Sequence, residues 1–194
     1  MTRPSTSVGP PAAKGTTRRT GWLGQSAVCA RAASGASAAR PASVADALCG
    51  MGFSAIPLRA LASGHHVADV TLNGTPATFV VDTGAGGTVL HAPYAATFLG
   101  KATATPRGQA IGAGGSTAVS GYPVAELTIG GTATDLRQIF AIDPTSVVKA
   151  LEPIAGRPIH GVIGQDVMRA QHAIVDVRQS VLYLMPVTGA KARC

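Results

Sequence analysis

The segment Phe79-Val80-Val81-Asp82-Thr83-Gly84-Ala85 places one carboxylate directly after an apolar run and before a tight turn. A charged side chain is rarely kept at such a place unless something pairs with it or uses it. Thr83 adds a hydroxyl that can bond backbone groups, and Gly84 lets the chain turn sharply. A carboxylate held in this way suits general acid–base chemistry, in which it takes up or supplies a proton during a reaction.

The elements that position Asp82 are predicted to be a β-hairpin. The stretch from Val67 to Leu72 alternates as a strand, and Asn73-Gly74 is a strong hairpin signal. The return strand, from Thr75 to Val81, then delivers Asp82 to its turn.

The rest of the body alternates strands with a few short helical segments. Helical turns are predicted at Ala92–Leu99, Val147–Leu151 and Val167–His172, with Pro144 and Pro153 bracketing a loop around the second. Strands are predicted at Tyr122–Ile129, Thr132–Ile142, Gly161–Gly164, Ala173–Val177 and Val181–Met185, with Gly130-Gly131 as a second hairpin turn and Ile111–Ser116 as a glycine-rich tip.

The two hairpins are each followed by a strand that ends in Asp, at Asp82 and Asp143, which suggests a pseudo-twofold β fold. Asp143 precedes Pro144-Thr145 and is interpreted as a loop aspartate.

Charge divides the chain into a basic tail and a near-neutral body. The net charge is +7, but residues 1–45 hold six basic side chains and no acid, whereas ten basic and nine acidic residues follow. This distribution and the few aromatics (4%) argue against a nucleic-acid surface.

The tail 1–45 is predicted to be disordered, a targeting segment or sequence that is not translated, so the protein could be cytoplasmic or exported. Residues 46–64 are predicted to be a lead-in of short helix or strand, 65–187 the domain, and 188–194 a C-terminal tail.

The polar residues outside the Asp82 turn give no sign of a metal or cofactor. Cys29, Cys49 and Cys194 are odd in number and lack metal spacing, so they are expected to be ordinary or free thiols. His65-His66 has no third ligand at useful spacing. His91, His160 and His172 are expected to be structural or on the surface. Separately, Asp166 and Asp176 are expected to fix turns by bonding local backbone. No run of 18 apolar residues occurs, so no transmembrane segment is predicted.

Three segments in order resemble the retroviral-type aspartic proteases (retropepsins) and their bacterial single-domain relatives. They are Val81-Asp82-Thr83-Gly84-Ala85, the tip Ile111 to Ser116 about 30 residues later, and Gly161-Val162-Ile163-Gly164-Gln165-Asp166. The resemblance covers roughly His65 to Pro186. It implies an all-β fold: a retropepsin-like closed barrel, or acid-protease half, with a glycine-rich flap hairpin and one or two short helices.

The resemblance also implies the activity and the site residues. A homodimeric aspartic endopeptidase would hydrolyse a polypeptide with a water held between two Asp82 carboxylates, with Thr83 and Gly84 completing the catalytic turn. Ala85 and the flap residues Ile111, Gly112, Ala113, Gly114 and Gly115 would bind substrate. No cofactor and no metal would be needed.

Two positions depart from the family pattern and keep an alternative open. Gly86 stands where a small hydroxyl residue is common, which implies the absence of one hydrogen bond near the site. Gln165 stands where viral members carry an Arg that joins an ion pair near the dimer interface. The alternative function is therefore a catalytically silent peptide-binding or dimerisation module of the same fold.

Overall fold

The structure is a computed structural model that describes residues 43–112, 115–143 and 146–194. Most of the expected tail 1–45, including Cys29, lies outside the described residues. The flap residues Ala113 and Gly114 and the dipeptide Pro144-Thr145 also lie outside them. The predicted domain bounds stay predictions.

The described chain is mostly β-structure with a few short helices, as predicted. The strands are β1 (Ser54–Pro57), β2 (Arg59–Ala60), β3 (His66–Leu72), β4 (Thr75–Val81), β5 (Val89–His91), β6 (Thr105–Gly112), β7 (Gly115–Pro123), β8 (Leu127–Ile129), β9 (Thr132–Ala133), β10 (Gln138–Ile142), β11 (Gly161–Ile163), β12 (Ile174–Asp176) and β13 (Val181–Leu184). The α-helices are α1 (Val44–Gly50), α2 (Ala95–Leu99), α3 (Ser146–Ala155) and α4 (Gln165–Ala170), and a 3₁₀ turn (Ala92–Tyr94) precedes α2.

The main sheet has the strand order β6-β7-β10-β5-β11-β4-β3-β8-β9, with β2 beside β3. At its centre, β5 and β11 are antiparallel, and each has a parallel partner on its outer side, β10 and β4 respectively. This arrangement has the predicted pseudo-twofold character, because β4 ends before Asp82 and β10 ends before Asp143. Among the described strands no pairing joins β6 to β9, so the expected closed barrel is not confirmed.

The hairpin that carries Asp82 forms as its sequence predicts. Asn73 and Gly74 both have positive φ, +48° and +80°, which is the conformation that a two-residue turn of this type requires. The Asn73 side chain also donates to the backbone oxygen of Phe98 (3.0 Å) and accepts from the amide of Ala125 (3.0 Å). The turn is therefore tied to two distant segments.

The β4 strand is buried on both faces, which explains its unbroken apolar run before Asp82. Phe79 packs into the largest core cluster, whereas Val80 packs into a second cluster with α3. The first cluster also contains Leu72, Leu90, Leu127, Ile129, Ile139, Ile163, Leu182 and Leu184, each at most 1% exposed. Burial of a side chain of this size contributes about 1.5–3 kcal/mol, so the strand below Asp82 is firmly fixed.

Three predicted elements differ in the structure. The predicted strand Tyr122–Ile129 is interrupted after Pro123, because the amides of Ala125 and Glu126 donate to the side-chain oxygen of Asn73. The predicted strand Thr132–Ile142 is likewise split into β9 and β10. The predicted loop at Pro153 is wrong, because α3 continues through this proline and ends beyond it.

A second, three-stranded sheet has the order β1-β13-β12 and is called here the terminal sheet. A disulfide joins Cys49 in α1 to Cys194, with Cα atoms 5.9 Å apart. The expectation of free thiols is therefore wrong for these two residues. The sheet brings positions 145 residues apart in sequence within bonding distance, which cysteine spacing alone does not reveal.

Candidate active site

Asp82 lies in a turn that the backbone fixes from both sides. Its amide donates to the oxygen of Ile163 in β11 (3.1 Å), and its own oxygen accepts from the amide of Ala85 (3.2 Å). Its Oδ1 accepts from the amide of Gly84 at 2.8 Å. A carboxylate that accepts a hydrogen bond from a backbone N–H is held in one orientation.

The carboxylate of Asp82 is exposed at the end of β4. Within the described ranges it forms no ion pair, and its Oδ2 accepts no hydrogen bond. Thr83 and Gly84 beside it are exposed as well. The turn therefore leaves Oδ2 of Asp82 exposed on the surface, in an orientation set by the bond to Oδ1.

Gln165 braces the turn from the start of α4. Its amide nitrogen Nε2 donates to the backbone oxygen of Thr83 (2.5 Å), and its backbone N–H donates to the oxygen of Ala85 (2.9 Å). Its Oε1 accepts from Nε of Arg169 at 2.9 Å. The residue that departs from the viral pattern thus holds the turn within one subunit, a role that the sequence did not reveal.

Asp166 and the buried Thr88 form a partly buried hydrogen-bond network behind the turn. Asp166 accepts from the amide of Thr88 (2.9 Å), from its hydroxyl (2.6 Å) and from the amide of Val167 (2.7 Å). The Thr88 hydroxyl in turn accepts from the amide of Gly164 at 3.0 Å. The predicted bond from Asp166 to local backbone is present at Val167, whereas its two bonds to the distant Thr88 were not predicted. Asp176 fixes its own turn as predicted, by accepting from the amide of Gln179 (2.8 Å).

Two glycines allow the strands behind the turn to approach closely. A Cβ on Gly164 would lie 2.3 Å from the backbone of Gly87, and one on Gly161 would lie 2.3 Å from the oxygen of Val89. Gly86, by contrast, has open space where its Cβ would be. Positions 161 and 164 therefore require glycine, because the neighbouring backbone leaves no room for a Cβ atom.

The predicted flap segment lies at the end of the β6–β7 hairpin. Ile111 pairs with Ser116, and Gly112 with Gly115, which has φ +101°. The Ile111 side chain is 90% exposed. The hairpin is anchored to the main sheet because β7 pairs with β10, which in turn pairs with β5.

A groove of about 560 Å³ opens beside the turn, at a place where sequence patterns predicted none. It is lined by Thr83, Gln165, Met168, Arg169, His172, Ala173 and Val175. The groove thus extends from the Asp82 turn to α4 and strand β12.

Two histidines are structural, as expected. His91 is buried, and burial lowers its pKa below the usual 6.5 despite a hydrogen bond with the backbone of Ile159. Burial also lowers the pKa of His160, whose Nδ1 accepts from the amide of Thr78 at 3.0 Å. The His160 ring lies 4.7 Å from the ring of Tyr94.

Within the described residues, no group of three His, Cys, Asp or Glu side chains could hold a metal ion.

The helices in the described part of the chain are all too short or too polar to cross a membrane.

Comparison with known proteins gives a family match over the segment that contains this site. A model of the family described as aspartyl protease matches residues 68–167, just over half of the chain. Among solved structures, the chain is similar to the EIAV protease in complex with an inhibitor. The identity is 18%, the TM-score is 0.42, and the match covers 53% of this chain and 84% of that one. No curated protein matches the chain.

Proposed function

Because the chain belongs to the aspartyl protease family, we propose that it is an aspartic endopeptidase that acts as a homodimer and hydrolyses peptide bonds. The observation that carries the proposal is the Asp82 carboxylate, exposed at the end of a rigid strand with one oxygen bonded to Gly84. A general acid–base group must be both fixed in position and open to substrate, and Asp82 meets both requirements.

The second carboxylate comes from a second copy of the chain. The sequence contains one Asp-Thr-Gly, and the pseudo-symmetric Asp143 is followed by proline rather than by a matching turn. Twofold dimers are the commonest oligomers, and the exposed turn of one copy would face that of the other. In this arrangement Thr83 braces the opposite turn through its hydroxyl.

The mechanism follows from the approach of two like charges. Two carboxylates about 3 Å apart cannot both ionise, so the two residues share one proton. The ionised Asp82 takes a proton from the water as this attacks the scissile carbonyl. The protonated Asp82 polarises the carbonyl oxygen and later supplies a proton to the leaving nitrogen.

The substrate binds in an extended conformation below the β6–β7 hairpin. Main-chain hydrogen bonds to an added strand give affinity without strict sequence preference. Ile111 and Gly112 to Gly115 cover the peptide, Ala85 lines the cleft, and the glycines permit the opening and closing of the flap.

The test is cleavage of an unfolded protein substrate between about pH 4 and pH 7, with dimer state measured by sedimentation. Asp82→Asn removes the shared proton, and we expect cleavage to fall at least about 10³-fold while the dimer persists. Asp135→Asn is the matched control, because Asp135 is exposed and pairs only locally with Arg137. It should retain wild-type cleavage.

A folded wild-type dimer that binds peptides but cleaves none at any pH would refute the enzyme and support the silent binding module. Equal cleavage by wild type and Asp82→Asn would show that another group is responsible.

A further inference from the structure

A second cleft, of about 490 Å³, opens on the β3–β4 hairpin away from the Asp82 turn and is called here the hairpin cleft. Its floor is formed by β3 and β4, and Thr78 on this floor precedes Asp82 by four residues, about 13 Å along an extended strand. The walls include residues from outside the hairpin: Gly130, Gly131, Arg157 and His160. A cleft of this volume suits a small molecule.

The floor of the hairpin cleft is polar, although the same face of the hairpin is apolar nearer to Asp82. Asp69 pairs with Thr78 on this face, and Thr71 follows two residues after Asp69. Farther along, the pair Val67 and Val80 packs into the cluster below α3. Thr78 is only 4% exposed, and no described residue bonds its hydroxyl. A hydroxyl this deep in a fold needs a partner, and a molecule in the cleft would supply one.

His160 carries a donor that nothing in the described part of the chain uses. Its Nδ1 accepts from the amide of Thr78 (3.0 Å), and its own amide donates to the oxygen of Thr78 (2.8 Å). Because Nδ1 is an acceptor, the neutral ring carries its proton on Nε2. Burial lowers the pKa of His160 and so favours this neutral form. The Nε2–H group is therefore available to a ligand in the cleft that the ring lines.

Two guanidinium groups adjoin the hairpin cleft. Nη1 of Arg157 lies 3.0 Å from Oδ1 of Asp69, and the two side chains are 41% and 75% exposed. The other two guanidinium nitrogens of Arg157 bond no residue of the described ranges. Nη1 of Arg193 donates to the oxygen of Gly131 (3.1 Å), which is part of the cleft wall. The single acid that lines the cleft is thus already paired, whereas most of the donors around it are not.

We propose that the hairpin cleft binds a small monocarboxylate anion. The planar carboxylate lies against the unpaired side of the Arg157 guanidinium, where two N–H groups match two carboxylate oxygens. Nε2–H of His160 and the hydroxyl of Thr78 donate to the same carboxylate, and Asp69 holds Arg157 in position. One guanidinium and two neutral donors suit a single negative charge. The site is separate from the Asp82 turn, so the inference does not depend on the proposed function.

The test uses lactate as the probe, lactamide as its uncharged analogue and sodium chloride at matched ionic strength as the salt control. Amide resonances of the full chain are followed by NMR during the titration, and the thermal midpoint is measured in parallel. We expect the amides of residues 69–78 and 157–160 to shift, and the midpoint to rise with lactate, because a ligand of the folded state stabilises it. Lactamide should bind at least about tenfold more weakly.

Arg157→Gln removes the charge and should weaken lactate binding at least about tenfold. Thr78→Val replaces the hydroxyl with a methyl group of similar size and should weaken binding by about threefold to tenfold. Arg137→Gln is the matched control, because Arg137 is exposed and pairs with the neighbouring Asp135 (3.1 Å). It should bind lactate as the wild type does. The thermal midpoint of each variant without lactate checks that it is folded.

Equal binding of lactate by the wild type and Arg157→Gln would overturn the inference, as would equal binding of lactate and lactamide. Shifts confined to the Asp82 turn would place the anion elsewhere and would also overturn it. The absence of saturable binding up to about 20 mM lactate would have the same meaning. Weaker binding in both cleft variants, with the control unchanged, would support the site. Peptide cleavage is not a readout, so the failure of either proposal leaves the other intact.

Discussion

At the scale of single residues, the site depends on side chains that act through the backbone. Asp82 is oriented by one amide, and Gln165 secures the same turn through the oxygens of Thr83 and Ala85. A turn braced in this way is already shaped in a single copy of the chain. In the proposed dimer this preorganisation would lower the cost of ordering the site on association.

Two histidines, the buried His91 and the half-buried His160, should make the protein less stable as the pH falls below 6.5. Burial lowers the pKa of His91 and of His160, so the fold keeps them neutral while the unfolded chain takes up protons near pH 6.5. Below that pH the unfolded state binds more protons, and the free energy of unfolding decreases with falling pH. The decrease levels off only when the folded histidines are protonated too. Glu152 and Asp143 moderate the effect at His91, because their charges favour its protonated form.

The measurement is the free energy of unfolding by urea at several pH values between about 5 and 8. It is made in the Asp82→Asn background, so that the proposed shared proton does not contribute. His91→Gln should lower overall stability but flatten its dependence on pH below 6.5. His65→Gln, at an exposed residue bonded to Ser63, is the control and should keep the wild-type slope. An unchanged slope in His91→Gln would contradict the prediction.

At this scale the sequence predicted the local features and missed the distant ones. Asp82, Thr83 and Gly84 are contiguous, and the turn that holds them depends largely on neighbouring residues. The partners Thr88–Asp166 and Gln165–Thr83 are 78 and 82 residues apart. Only the pairing of β11 between β4 and β5 brings them together, and residue types alone do not specify that pairing.

At the scale of elements, the strands behind the turn fit because they lack side chains at two points. Gly164 lies against Gly87, and Gly161 against Val89. These contacts let β11 enter between β4 and β5, and β11 in turn supplies the oxygen that holds the amide of Asp82.

Gly164→Ala should therefore destabilise the fold by at least about 2 kcal/mol, because its Cβ would overlap backbone that cannot move aside. Gly86→Ala is the matched control, since its Cβ meets open space at a backbone conformation that alanine tolerates. Thermal and urea unfolding of both variants give the comparison. Equal stabilities for the two would show that the contact at Gly164 is easily relieved.

Element prediction succeeded where patterns were strong and failed where tertiary contacts interrupted them. Thr75–Val81 was predicted with the observed bounds, because an apolar run follows a clear Asn-Gly turn. The break between β7 and β8 was missed, since it depends on amides 125 and 126 bonding the distant side chain of Asn73. Pro153 predicts the end of a loop, but α3 contains this proline in its last turn.

At the scale of the whole molecule, the disulfide makes one closed loop of nearly all the described chain. It joins positions 145 residues apart and lies next to Arg193, whose backbone oxygen accepts from the amide of Ala55 in β1. With three cysteines several pairings are possible, and nothing in their spacing selects this one. The pair Cys49–Cys194 is selected by the packing of α1, β1 and the C-terminus, which brings these two residues together.

Cys194→Ser should lower the free energy of unfolding substantially, by up to about 4–5 kcal/mol, because a loop of this length strongly restricts the unfolded chain. Reduction of the wild type should have a similar effect. Cys29→Ser is the control and should be neutral under oxidising conditions. Urea unfolding with and without reductant measures the difference, and a stability that does not respond to reductant would contradict the prediction.

The same disulfide determines how a cut in the backbone of this protein would appear on a gel. A single peptide-bond break anywhere between residues 49 and 194 yields two pieces that remain covalently joined. Such a nicked molecule keeps nearly its full mass on a denaturing gel run without reductant. Any self-cleavage inside the body would therefore become visible only after the sample is reduced.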